Sequence, residues 1–146
     1  MDIGAIEIKT VRYQDFTVPI KKIRTLVFQQ EQGVSAELEF DGLDAIATHF
    51  LAYVEGLAVG TARIKEIDAD TAKIERLAVL SEYRKQGVGK RLMESALSTI
   101  ARQNKSIAIV HAQAYIAQLY QQLGFSIVGD EFTEAGIPHV KMIKHL

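Results

Sequence analysis

Residues 72 to 103 read AKIERLAVLSEYRKQGVGKRLMESALSTIARQ, and they combine a mostly apolar run, a basic loop and an amphipathic stretch. The run from Ala72 to Leu80 predicts a strand, because it is short, largely apolar and followed by a loop. After Gly87, apolar residues recur at helical spacing: Val88, Leu92, Ala96, Leu97 and Ile100. This spacing predicts an amphipathic helix from Gly87 to Gln103.

Upstream of this unit, the sequence predicts a strand, a helix and a hairpin. Thr17-Val18-Pro19 favours a helix start, since proline is tolerated in the first turn, and Gly33 is expected to end that helix. The segment from Ser35 to Asp44 is acidic and irregular in pattern, so we predict a loop there. Glu55-Gly56 separates two strand-like runs, which is typical of a hairpin. The predicted strands are Ile6–Val11, Thr48–Val54 and Leu57–Ile64.

Downstream, the sequence predicts three further strands and one helix. The helix runs from Ala114 to Leu123 and stops at Gly124. The strands are Ile107–Val110, Phe125–Val128 and His139–Ile143. The complete order is β-α-β-β-β-α-β-α-β-β. It predicts an α/β fold of the α+β type, with a central mixed sheet flanked by helices.

Composition excludes several classes of protein. A chain of 146 residues has the size of one domain, so we predict a single domain over residues 1–146. A net charge of −1 offers no basic excess for nucleic acid. The absence of cysteine excludes a disulfide scaffold and thiol catalysis. The longest apolar run, Phe50 to Val54, is far shorter than the ~18 residues of a membrane span, and the first residues lack a secretion signal. We therefore expect a cytoplasmic protein with no membrane partner.

The four histidines do not predict a metal centre. His49, His111, His139 and His145 are scattered along the chain and lack the spacing of known metal motifs. His111 follows a predicted buried strand, so it could line a cleft or be a hydrogen-bonded core residue. The same two interpretations hold for His139.

The basic loop from Arg84 to Arg91 is the main candidate for ligand binding. Its two glycines, Gly87 and Gly89, permit a tight turn and a close approach of a ligand to the backbone. The free N–H groups at the start of the following helix would bind an anion such as a phosphate. The alternative is a flexible joint whose cations are merely solvated.

Two motifs in this order resemble the GNAT superfamily of acyl-CoA-dependent N-acyltransferases. The first is Glu75-Arg76-Leu77-Ala78-Val79 followed by Tyr83-Arg84-x-x-Gly87-x-Gly89, and the second runs from Gln113 to Leu119-Tyr120-x-x-Leu123-Gly124-Phe125. The segments Val27-Phe28-x-x-Glu31-Gln32-Gly33-Val34 and Phe132-x-x-Ala135-Gly136-Ile137-Pro138-His139 are similar to its small ElaA/YjcF-like bacterial branch. The resemblance covers essentially the whole chain and implies a GNAT-type fold.

The resemblance also implies acetyl-CoA as the acyl-donor cosubstrate, with no metal. It assigns the pyrophosphate to the basic loop, and the pantetheine arm to two strand residues and a glutamine. The residues expected to bind the cosubstrate are Arg84, Lys85, Gln86, Gly87, Val88, Gly89 and Lys90 in the loop, with Leu77, Val79 and Gln113 along the arm. The Val79 N–H would polarise the thioester carbonyl.

Tyr120 and Glu75 are the candidate catalytic residues. The family often places a tyrosine beside the cofactor sulfur, which implies that Tyr120 protonates the departing thiolate. A tyrosine packed between helix and sheet is the alternative. Strand alternation predicts that Glu75 shares a face with Leu77 and Val79, where it could act as the base. A paired or solvated surface carboxylate is the other interpretation of Glu75.

Glu31, Arg24 and His111 are the residues expected to contact the acceptor. The first helix borders the acceptor cleft in the family, and Glu31 lies at its end, with Arg24 two turns earlier on nearly the same face. Between Glu31 and Asp44 the chain is acidic, so an anionic rim would favour cationic amines. A solvated acidic loop and a salt-linked helix surface are the alternatives.

These features predict an N-acetyltransferase that transfers acetyl from acetyl-CoA to a primary amine, on a small molecule or an exposed amino group, by direct attack. The alternative is a non-catalytic acyl-CoA-binding regulatory module. A homodimer is common in the family, although no residue of this sequence identifies the interface. We expect no nucleic-acid partner.

Overall fold

The computed structural model describes residues 4–146, which form both strands and helices. The strands are β1 (Ile6–Val11), β2 (Thr48–Val54), β3 (Leu57–Glu66), β4 (Thr71–Val79), β5 (Ile107–Gln113), β6 (Ser126–Glu134) and β7 (Ile137–His145). The helices are α1 (Thr17–Arg24), which continues as a π-helical segment (Thr25–Glu31), α2 (Ala36–Glu39), α3 (Val88–Arg102) and α4 (Ala117–Gln122). The predicted α/β fold is confirmed.

The strands form one seven-stranded sheet in the order β1-β2-β3-β4-β5-β7-β6. Among the strand pairs described within residues 4–146, only β4–β5 is parallel, and its pairing covers three positions, ending where Lys73 lies opposite Ile109. Beyond that point, Ile74–Val79 of β4 and Val110–Gln113 of β5 do not pair with each other, which indicates that the two strands diverge. The sheet therefore contains a gap between β4 and β5.

Helices cover the two faces of the sheet unequally. Helix α3 packs its apolar side on one face, with residues of α4 in the same cluster. Gly60 of β3 lets α3 approach closely, since a Cβ there would lie 3.0 Å from Leu92 and 3.1 Å from Val88. On the opposite face, α1 and the π-segment pack through Ile20, Ile23 and Val27. None of the helices described within residues 4–146 is long and apolar enough to cross a membrane.

A β-bulge in β4 overturns one sequence prediction. The β3–β4 register shifts between the pairs Arg63–Glu75 and Thr61–Ala78, and Arg76 adopts a φ of 57°. The extra residue breaks the two-residue alternation of side chains. Leu77 and Val79 consequently pack with the α3 cluster, whereas Glu75 is on the opposite face, beside Arg63. The prediction that Glu75 shares a face with Leu77 and Val79 is wrong.

Other differences lie at element boundaries. The predicted loop from Ser35 to Asp44 contains α2, which Ser35 caps by accepting a hydrogen bond from the Leu38 N–H. The last two strands are longer than predicted, and β6 extends to Glu134. Its sequence, SIVGDEFTE, is mostly exposed and polar, so hydrogen bonding to β7 rather than apolar alternation defines this strand.

Candidate active site

The loop before α3 presents a row of free backbone donors. Gly87 precedes the helix with a φ of 90°, and Lys85 has a φ of 62°. The Arg91 N–H donates to the Gly87 carbonyl at 3.0 Å, but no backbone N–H from Lys85 to Lys90 donates to a backbone carbonyl of the described residues. These donors lie at the positive end of the α3 dipole and suit an anion.

The surface above this loop is open. A Cβ at Gly87 would meet nothing within 4 Å, and one at Gly89 would meet only a Val79 methyl at 3.9 Å. Lys85 and Lys90 are exposed there, whereas the Val88 side chain is buried, so only its backbone N–H faces a ligand. The carbonyl oxygen of the Gln86 side chain is buried and has no hydrogen-bond partner among the described residues. The predicted phosphate loop thus combines free N–H groups, lysines and open space.

The Arg84 side chain connects this loop to the helix on the other face. Its Nε donates to the Val79 carbonyl at 2.9 Å, and its two terminal nitrogens donate to both carboxylate oxygens of Glu31. The hydrogen bond from Arg84 lowers the pKa of Glu31, and the same bond raises the pKa of Arg84. The structure therefore pairs Arg84 with Glu31. The sequence-based prediction was that Arg84 binds a phosphate and Glu31 contacts the acceptor.

The end of β4 presents a free donor to the gap. The Leu80 N–H donates to the Val59 carbonyl, so the neighbouring pair, Gly60 and Val79, is not hydrogen-bonded and the polar groups of Val79 point away from β3. Its carbonyl accepts from Arg84, as described above, and its N–H is directed toward the gap. This geometry is compatible with the predicted oxyanion role of Val79.

Gln113 lies across the gap, at the end of β5. Its side-chain amide donates to the Gln32 side-chain oxygen at 3.0 Å. Gln32 directly follows the π-segment, so this hydrogen bond joins β5 to the helix that covers β4. The family resemblance implied a contact of Gln113 with the pantetheine arm. No role was predicted for Gln32, because its hydrogen bond with Gln113 joins residues 81 positions apart.

Tyr120 is buried in the helix–sheet core, with only 6% of its surface exposed. Its ring meets Phe125 edge-on, with 6.0 Å between the ring centres. Burial raises the pKa of Tyr120 to about 12, because the phenolate would be poorly solvated. Tyr120 therefore packs as a core residue and also keeps its phenolic proton at neutral pH.

Arg24 is fully buried, which corrects its predicted contact with the acceptor. Its Nε lies 2.5 Å from a Glu39 carboxylate oxygen and its Nη1 lies 2.6 Å from Asp44. Both carboxylates are themselves buried. Arg24 has no surface left for an acceptor, and it holds the segment after the π-segment against α1.

Arg63, also fully buried, extends this network to β4. It forms ion pairs with Asp41 at 2.8 Å, Asp44 at 3.0 Å and Glu75 at 3.1 Å. The hydrogen bond from Arg63 holds the pKa of Asp41 well below its usual range, and it does so against the opposing effect of burial. Glu75 therefore belongs to a charge network on the face opposite Leu77. Its role as base stays a prediction, without the face shared with Leu77 and Val79 on which it was based.

This network also overturns the expected anionic rim. Glu39, Asp41 and Asp44 were expected to face a cationic acceptor, but they point inward to arginines. Glu31 is neutralised by Arg84. This pairing could not be predicted from local sequence, because the arginines that pair with the acidic segment come from distant parts of the chain.

A second polar cluster lies on β5, β6 and β7. His111 Nδ1 is 3.0 Å from a Glu134 carboxylate oxygen, and His139 Nε2 is 3.8 Å from the other. Phe132 lies between the rings, edge-on to His111 and stacked on His139. No group of three or more potential ligands among residues 4–146 is arranged to hold a metal ion. Both histidines were considered as cleft residues from the sequence, whereas Glu134 was not.

Comparisons with known proteins agree with this architecture. A family model of the acetyltransferase (GNAT) domain matches residues 10–146. The chain is 35% identical over 123 residues to the uncharacterised N-acetyltransferase YjcF of Bacillus subtilis, an alignment that covers 84% of this chain and 87% of YjcF. The crystal structure of Escherichia coli ElaA superimposes with a TM-score of 0.85 and 28% identity, covering 96% of this chain and 99% of ElaA. An acyl-CoA N-acyltransferase from Pseudomonas aeruginosa superimposes with a TM-score of 0.83 and 26% identity over 96% of this chain and 99% of that one. The chain therefore belongs to the GNAT acetyltransferase family.

Proposed function

We propose that this protein transfers an acetyl group from acetyl-CoA to a primary amine, on a small molecule or an exposed amino group, by direct attack. One observation carries the proposal. The free N–H groups from Lys85 to Lys90 open beside the gap that separates β4 from β5. The similar Pseudomonas aeruginosa structure, named as an acyl-CoA N-acyltransferase, supports the same donor class.

The loop fits the pyrophosphate of such a donor. Backbone N–H groups around Gly87 and Gly89 supply hydrogen bonds, and the exposed Lys85 and Lys90 supply positive charge. Because neither glycine has a side chain, the phosphates can approach the backbone closely. The donor's linear arm would then lie in the gap between the strands.

Two groups would serve the two halves of the transfer. The Val79 N–H, directed into the gap, would stabilise the oxyanion that forms as the amine attacks the thioester carbonyl. Tyr120, which remains protonated at neutral pH, would donate its proton to the departing thiolate. The acceptor must arrive as a neutral amine, because its lone pair forms the new C–N bond.

Thiol release tests this proposal. The purified protein is incubated with acetyl-CoA and a panel of primary amines, free CoA is quantified with a thiol reagent, and products are identified by mass spectrometry. We expect acceptor-dependent release of CoA and a matching mass increase of one acetyl group. If CoA raises the melting temperature but no amine is acetylated, the protein is a non-catalytic acyl-CoA-binding module.

A further inference from the structure

His111 and Glu134 form a hydrogen-bonded pair that the chemistry above leaves unused. The two residues come from β5 and β6, strands separated in the sheet by β7. The carboxylate is ionised at neutral pH, because the hydrogen bond from His111 and the nearby positive charges outweigh the opposing effect of burial and lower the pKa of Glu134. An imidazole held by a carboxylate is a common arrangement in proton transfer.

The hydrogen bond fixes the tautomer of His111. An ionised carboxylate accepts hydrogen bonds only, so Nδ1 of His111 carries the proton and donates to Glu134. In the neutral ring, Nε2 then carries a lone pair, and no side chain or backbone group of the described residues bonds to it. The edge-on contact with Phe132 holds the ring plane. His111 is thus oriented to accept a proton at Nε2.

His139 does not share this property. Its side chain is only 8% exposed, and its Nδ1 donates to the Ile137 carbonyl at 2.7 Å. The His111 side chain is 26% exposed. Of these two histidines, His111 is therefore the one that can meet a small molecule from solvent, and His139 packs against Phe132.

The position of His111 connects it with the gap. The alternate residues Ala108, Val110 and Ala112 of β5 are buried in the α3 cluster, so His111 and Gln113 point to the opposite face. His111 follows Ile109, the last residue of β5 that pairs with β4, by two positions. It therefore lies on the β5 rim where the gap begins, on the face away from the phosphate loop.

We propose that His111 is the general base of acyl transfer, positioned by Glu134; this assignment rests on the proposed function. The amine lone pair forms a bond to the thioester carbonyl carbon, whose π electrons move to oxygen. An N–H proton of the amine passes through water to Nε2 of His111. The oxyanion then collapses, the C–S bond breaks, and the thiolate takes the Tyr120 proton. Solvent returns a proton to Tyr120 and removes one from His111, so the net products are an amide and CoA.

Other charges face this pair from the neighbouring strands. Lys73 of β4 interacts with Glu134, and Lys141 of β7 is the register partner of His111. His139 of β7 lies on the other side of the carboxylate. Glu134 is the only carboxylate hydrogen-bonded to His111 among the described residues, so its removal should most affect the orientation of the imidazole ring.

The test compares kcat and the KM for acetyl-CoA, at one fixed pH, for the wild type and for His111→Gln, Glu134→Gln and the control His145→Gln. The control histidine is exposed at the end of β7. His111→Gln should lower kcat by about 10²-fold and leave the KM for acetyl-CoA unchanged, because it removes the proton acceptor and no group that binds the donor. Glu134→Gln should lower kcat by a smaller factor, again without a change in this KM, because the imidazole loses the carboxylate that orients it. His145→Gln should match the wild type.

Different results would overturn the proposed function and the assignment of His111. If the wild type acetylates no amine, the proposed function fails and this assignment fails with it. If the wild type is active and His111→Gln keeps the wild-type kcat, only the assignment of His111 is overturned. A loss of kcat in Glu75→Gln, with His111→Gln unaffected, would give the base role to Glu75. The CoA-induced rise in melting temperature verifies that each variant is folded and binds the donor.

Discussion

Glu31 and Arg84 form a bidentate ion pair that joins the π-segment to the loop before α3, with one nitrogen–oxygen distance of 2.6 Å. Glu31 ends the π-segment, and Arg84 begins the phosphate loop. The same arginine also holds the Val79 carbonyl. A carboxylate from the helix on one face of the sheet thus neutralises a cation of the predicted phosphate loop.

Substitution of the two members of this ion pair should have opposite effects on CoA binding. Arg84→Ala should weaken CoA binding about tenfold, because it removes both the loop's anchor and a positive charge. Glu31→Gln should strengthen CoA binding by roughly threefold, since it leaves the arginine without its counter-charge. Calorimetric titration with CoA measures both constants, and Glu37→Gln, an exposed carboxylate on α2, is the control. Equal weakening in both variants would show that the pair acts only as a structural clamp.

Gly89 permits a clean test of the phosphate loop. Its φ is negative, and a Cβ there would meet only one methyl group at 3.9 Å, so Gly89→Ala and Gly89→Val should fold normally. The added side chain would occupy the space where a phosphate approaches the backbone. We expect CoA affinity to fall at least about tenfold for valine and less for alanine. Gly87 is less suitable, because its φ of 90° makes any side chain strained. Unchanged CoA-induced thermal stabilisation in Gly89→Val would contradict the assignment.

The sequence predicted the fold well where local pattern determines structure. Apolar periodicity located α1, α3 and the central strands, and the two glycines located the loop. Long-range pairing was the part that local pattern could not predict. The β4 bulge, which places Glu75 away from Leu77, arises from the register with β3, and the burial of Arg24 depends on Glu39 and Asp44. Glu134 was not among the predicted site residues, because its strand is mostly exposed and is defined by hydrogen bonding to β7 rather than by an apolar pattern.

Tyr120→Phe should separate packing from proton donation. The ring and its edge-on contact with Phe125 are retained, so stability and CoA affinity should change little. Turnover should fall by about 10²-fold if the phenol supplies the thiolate's proton. Because the pKa of Tyr120 is raised to about 12, the wild type should show no loss of activity from this group up to about pH 10. Tyr115→Phe, at an exposed tyrosine of the same region, is the control and should keep wild-type turnover.

The Arg63 network should make the protein sensitive to acid in a direction set by Asp41. The pKa of Asp41 is lower in the folded protein than in the unfolded chain, because Arg63 donates hydrogen bonds to its carboxylate. Such a group stabilises the fold above the unfolded-state pKa, near 4, and the contribution is lost as pH falls toward the folded-state pKa. Asp41→Asn should therefore lower the free energy of unfolding by about 1–3 kcal/mol at pH 7. The difference from the wild type should begin to shrink below about pH 4 and should continue to shrink as the pH approaches the lowered folded-state pKa, because folded Asp41 stays ionised until then. Urea denaturation at pH 7, at pH 4 and at about pH 2 measures this trend, with the exposed Asp130→Asn as control. A deficit that is as large at about pH 2 as at pH 7 would mean that Asp41 stabilises the fold through the shape of its hydrogen bonds rather than through its charge.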